Sequence, residues 1–162
     1  MATGFVDRTS INNDGDVAFL AGRDLGSYLF SRAAVSAVCL SSGGTTVSIV
    51  KLQDRTPEGE KFAILGKGLG FNNRGDLTFG AETDTRDRAV YLYTRATGNL
   101  RRIAGKGTLV PGEGTITDVQ LGFFSYNTDL NDLGQIVFVA SITDGTTTRQ
   151  AMVLATPGNS NN

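Results

Sequence analysis

The chain has 162 residues, 40% of them apolar, which is enough material for a packed core and excludes disorder over most of the length. Fifteen Lys and Arg against 16 Asp and Glu leave a net charge of −1, so there is no electrostatic footprint for nucleic acid or an anionic membrane. His and Trp are both absent, which removes the commonest general base, the commonest metal ligand and the best sugar-stacking ring. In chain order, a short strand ending at Ile11 is followed by the turn Asn12-Asn13-Asp14-Gly15, a strong strand over 16–21 and a long loop over 22–36. A strand carrying Ala37-Val38-Cys39-Leu40 then leads through Ser42-Gly43-Gly44 to a fourth over 46–52 and an excursion containing Thr56-Pro57-Glu58-Gly59-Glu60. The next stretch runs alike: a strand ending at Phe71, the turn 72–75, a strand over 76–81, a loop over 82–88, Ala89-Val90-Tyr91-Leu92, a turn at Thr97-Gly98-Asn99 and a strand over 100–104. After Val110-Pro111-Gly112-Glu113-Gly114 a third pass begins, with a strand ending at Leu130, the turn 131–134, a strand over 135–141, a loop over 143–148 and Ala151-Met152-Val153-Leu154.

These passes are copies of one unit. The strings beginning at Ile11, Phe71 and Leu130 stand 60 and 59 residues apart, and the Ala-x-x-Leu strings follow them in the same order. Asn tolerates self-bonded or left-handed backbone and Gly takes positive φ without steric cost, so each Asn-x-x-Gly step reads as a tight turn between strands. In the strand after it Val17, Phe19 and Ala21 face one side and Ala18 and Leu20 the other, so both faces are apolar. A sheet that is apolar on both faces must lie between neighbours like itself. The expected fold is therefore all-β, with antiparallel four-stranded blade-like repeats in about three units, a partial β-propeller; the alternative is a β-trefoil, which also divides into three. A single repeat domain covers 1–155, with units at about 5–66, 67–120 and 121–155 and a polar tail over 156–162.

The pattern Asn-x-x-Gly-x-x-Ala-Phe, matched by Asn12, Gly15, Ala18 and Phe19, resembles the NxxGxxAF repeat of bacterial, mostly exported, β-propeller-like proteins. The second copy departs from it at Thr78 and the third at Val137. The resemblance runs from about Phe5 to Leu154 and is carried by turn and core positions, so it implies an architecture and an extracellular or cell-surface location but no catalytic residues. Nothing at the start of the chain has the charged and apolar pattern of a signal peptide, and nowhere do 18 apolar residues follow one another, so no membrane insertion is expected.

Counted this way the units hold four, four and three strands, the third lacking its last. Propellers close with about four to eight blades, so the chain is not expected to close by itself. It is expected to associate with itself, for instance as two chains in a six-bladed ring, or to be continued by flanking repeats of a longer chain, because open apolar faces and an unpaired strand edge favour association.

Chemistry is sparse. Cys39 lies in an apolar run and reads as a buried structural thiol. Neither the four lysines (Lys51, Lys61, Lys67, Lys106) nor the loop carboxylates Asp84 and Asp87 or Glu58 and Glu60 fall in a catalytic frame. Asn12-Asn13-Asp14-Gly15-Asp16 superficially resembles a calcium loop through Asp14 and Asp16, but the later copies put Arg74 and Leu133 where Asp14 stands, so the turn reading is preferred. Gly66-Lys67-Gly68-Leu69-Gly70 leads into a turn between strands rather than a helix, which disfavours a phosphate cradle. No enzyme activity, metal or cofactor is expected. The variable loop between the second and third strands of each unit is the candidate partner-binding surface, with Tyr28 and Phe30 in the first unit and Asp84, Arg86 and Asp87 in the second. A protein or glycan ligand is possible there, although Tyr28, Tyr91, Tyr93 and Tyr126 do not repeat at equivalent positions as a carbohydrate-binding propeller would want. The function read from the residues is a non-catalytic structural or interaction module; a carbohydrate- or ligand-binding propeller module is the alternative.

Overall fold

A computed structural model describes residues 4–23, 34–121 and 128–156. The first sheet is β1 (Gly4–Ile11), β2 (Val17–Arg23), β3 (Ala34–Ser42) and β4 (Thr45–Lys51), antiparallel and in sequence order. The second, β5 (Phe62–Phe71), β6 (Leu77–Thr83), β7 (Arg88–Thr94) and β8 (Asn99–Gly105), repeats that order. The third holds β9 (Leu109–Val110), β10 (Gly114–Val119), β11 (Thr128–Leu130), β12 (Ile136–Thr143) and β13 (Thr148–Ala155). The fold is all-β, built from antiparallel blade-like sheets. The sheets remain separate, with no closed barrel among the described residues, and this separation sets the trefoil aside.

Each first hairpin owes its shape to one side chain. Asn12 Oδ1 accepts from the backbone N–H of Asp14 at 3.1 Å and of Asp16 at 2.9 Å. Asn72 does the same for Arg74 and Asp76, and Asn131 for Leu133 and Gln135. Gly15, Gly75 and Gly134 take the left-handed φ of 79°, 82° and 78° that closes the turn. The repeated Asn and Gly are thus the acceptor and the hinge of one turn used three times.

The third unit departs from the expected strand count. Its first strand is split: β10 pairs with Ala140–Thr143 of β12 and β11 with Ile136–Phe138, along the same edge, while β13 takes the opposite edge. The short β9 adds a hairpin onto β10. The sheets also begin earlier than the units read from the repeat. β5 starts at Phe62 and β10 at Gly114, because the first strand of each later sheet is long and passes through an irregularity, between Leu65 and Leu69 in β5.

Packing follows from the two-faced apolar pattern. All seven residues of β6 are buried, as expected for a strand with a sheet on either side. Leu77, Phe79, Ala81, Ala89 and Tyr91 join Ala18, Leu20, Val38 and Leu40 in a core between the first and second sheets. Val90, Leu92 and Ala104 join Ile136, Phe138, Ala140 and Ile142 in a second core between the second and third. At the centre of the first core Phe62 meets Tyr91 edge-on at 5.0 Å between ring centroids, and Phe79 stacks on Tyr91 at 5.8 Å.

The glycine-rich run 66–70 lies within β5. A Cβ on Gly70 would lie 2.6 Å from the backbone nitrogen of Leu130, and one on Gly68 3.1 Å from Thr128 Oγ1. The glycines are what let the first strands of neighbouring sheets approach backbone to backbone. Gly70→Ala is therefore expected to cost about 1–3 kcal/mol in denaturant unfolding through overpacking against β11; an unchanged midpoint would show that the seam can open without loss.

Candidate functional site

The repeat makes burial comparable position by position. In β3 and β7 the back-facing residues Val38 and Val90 are fully buried and Leu40 and Leu92 are 5% exposed, each covered by the following sheet. Their equivalents in β13 are Met152, 76% exposed, and Leu154, 63% exposed. Val139 and Val137 lie beside them in register, so the back of the third sheet is an open apolar face. The front of the first sheet is its counterpart in part, with Ala37 and Cys39 buried on it and the residues nearer the turn more open. Phe19 is partly exposed where Phe79 and Phe138 are buried, and Ile11 is 70% exposed where Leu130 is 7%.

A polar ladder runs along the turns beside these faces. The backbone N–H of Asn13 donates to Asn73 Oδ1 at 2.9 Å, and that of Asn73 donates to Asp132 Oδ1 at 2.8 Å. Asn73 Nδ2 also donates to Asp132 Oδ2 at 2.7 Å and Asn72 Nδ2 to the Asn131 carbonyl at 3.2 Å. These bonds join residues 60 and 59 apart, so the repeat period is itself the rung spacing. The two Asn73 bonds hold the Asp132 carboxyl below its ordinary range.

Charged groups tie the sheets together at the same end. The Arg95 guanidinium donates to Asp16 Oδ2 and, at 2.8 Å, to Ser42 Oγ, linking the second sheet to the first. Asp16 is buried, and its carboxyl is held below 3.8 by the Ser42 hydroxyl and then by Arg95. A guanidinium thus stands against the carboxylate that a calcium loop would need. Farther along, Arg88 reaches Glu82 at 2.8 Å and Asp118 at 3.3 Å, bridging the second and third sheets.

Tyr28 and Phe30 lie outside the described residues. In the second unit Asp84 Oδ1 accepts from the Lys61 backbone N–H at 3.1 Å, and Asp87 Oδ2 pairs with Arg102 at 2.8 Å. Arg86 takes a φ of 66° at the tip of the turn, where its backbone N–H donates to the Thr83 carbonyl at 2.9 Å. These three residues are brought together in one tight turn closed by backbone bonds; Asp84 and Asp87 Oδ2 tie it to Lys61 and Arg102, while Asp87 Oδ1 is buried with no partner among the described residues. Cys39 is buried, with Sγ 3.8 Å from Ser48 Oγ.

The residues that sequence reasoning passed over are Met152, Leu154, Asp132 and Arg95. The ladder was open to detection, since Asn13, Asn73 and Asp132 share one place in the repeated turn; Arg95 has no counterpart in the repeat.

An architecture of three copies of one sheet extends over nearly the whole described chain, and a family profile of equal extent matches residues 2–160. The chain belongs to DUF7453, a family of unknown function. No curated protein and no solved structure matches it.

Asp16, with its lowered pKa, contributes stability that is present above the unfolded value of 3.8 and is lost as pH falls through the folded value. Asp16→Asn is accordingly expected to destabilise the protein at neutral pH, with the gap from the parent narrowing at roughly pH 3 in urea titrations. A gap of equal size at both pH values would show that the carboxylate's charge is not what Arg95 and Ser42 hold.

Proposed function

We propose that this chain is a non-catalytic structural module whose work is association through the open apolar faces of its stacked sheets. The observation that carries the reading is the exposure of Met152 and Leu154 at positions that are buried in both preceding sheets. Contiguous exposed apolar surface of this kind marks an interaction site, and here its shape is that of a sheet waiting for another sheet. The absence of His from the sequence and the burial of Cys39 support a role without covalent chemistry. The resemblance to exported NxxGxxAF-repeat proteins supports a place outside the cell, where such modules meet partners directly.

Sedimentation velocity on the purified chain tests this. The expected result is a concentration-dependent species at a multiple of 17.1 kDa. A well-folded monomer over the whole accessible concentration range would overturn it.

A further inference from the structure

The geometry points to one mode of association, which rests on the reading above: the back of the third sheet in one copy receives the front of the first sheet in a second copy, in the arrangement that already joins the sheets within the chain. Each internal junction sets a back face on a front face. Ala18, Leu20, Val38 and Leu40 meet Leu77, Phe79 and Ala81 at the first; Val90 and Leu92 meet Ile136, Phe138 and Ala140 at the second. The two faces left over are one of each kind. The open back face carries Val137, Val139, Met152 and Leu154; the front face of the first sheet carries exposed Ile11 and partly exposed Val17, Phe19 and Ala21 beside buried Ala37 and Cys39. Two back faces or two front faces set together would reproduce neither junction.

The turn ladder supplies direction and register. At both internal steps a backbone N–H donates forward to the side-chain oxygen of the equivalent residue in the next unit: Asn13 to Asn73, then Asn73 to Asp132. The next rung runs from the Asp132 N–H of one copy to Asn13 Oδ1 of the other. The neighbouring position agrees at the second junction, whereas at the first Arg95 lies over Gly75. The Arg74 guanidinium lies over Gly134 of the following unit, so close that a Cβ there would sit 2.9 Å from Nη2. Leu133, the equivalent of Arg74, is 78% exposed, and Gly15, the equivalent of Gly134, has open space around it. In the second copy Leu133 covers Gly15. Since every junction is of one type, two copies joined at both ends stack six sheets, within the range of four to eight over which propellers close.

The test joins the two predicted neighbours across copies. In a Cys39→Ser background, N13C and D132C chains are prepared separately, mixed at associating concentration and treated with a short bis-maleimide. The expected product is a covalent dimer in the mixture and little in either variant by itself. Linkage of D132C to itself would overturn the head-to-tail arrangement while leaving self-association standing; absence of any associated species in sedimentation would remove both. As a second variant, Met152→Arg with Leu154→Arg changes side chains already exposed in the single chain, so folding is retained and the associated species is lost. Retention of that species by the double variant would place the contact elsewhere.

Discussion

Everything in this molecule depends on the requirement that a sheet with two apolar faces be covered on both. A hairpin sheet with one wet face can stand at a surface, but β6, with all seven residues buried, exists only because a sheet lies on each side of it. The first and third sheets carry the same residue pattern with one neighbour each. Their strands alternate buried and half-exposed positions, as in β12, so the repeat has been satisfied in the middle of the stack and left unsatisfied at its ends.

Two devices make the stacking specific. The glycines of β5 bring the first strands of adjacent sheets to within backbone contact, which the side chains of an ordinary strand would prevent. The Asn-x-x-Gly turns then align the sheets by hydrogen bonds whose spacing is the repeat length. Apolar area supplies most of the driving force but has no direction; the ladder and the Arg95 link to Asp16 and Ser42 fix which sheet follows which and in what register. The carboxylates Asp84 and Asp87 meet partners of their own unit, the Lys61 backbone N–H and the Arg102 guanidinium.

Much of this was legible in the residues. The alternation of Val17, Ala18, Phe19, Leu20 and Ala21 gave both the strand and the need for two neighbours, and the Asn and Gly of each copy marked the hairpins. Less legible were features that depend on the sheets meeting. The split of the third unit's first strand into β10 and β11 has no counterpart in the repeat, and the closeness of Gly66, Gly68 and Gly70 to the neighbouring sheet shows only once the strand beside them is known. Arg95 could not be paired with Asp16 from 79 residues away, because only the stacking of sheets brings them together. Open apolar faces at the ends of the stack follow from the repeat count; that Met152 and Leu154 are the side chains exposed on one of them appears only in the folded chain.

On the proposed reading, the back of the third sheet faces water in the single chain and is covered when chains associate. Peroxide oxidation of Met152, followed by mass spectrometry as a function of protein concentration and referred to free methionine in the same solution, measures this directly. The account predicts a rate near that of free methionine in dilute protein, falling steeply as association proceeds. A rate that stays fast at every concentration, with association occurring all the same, would contradict it.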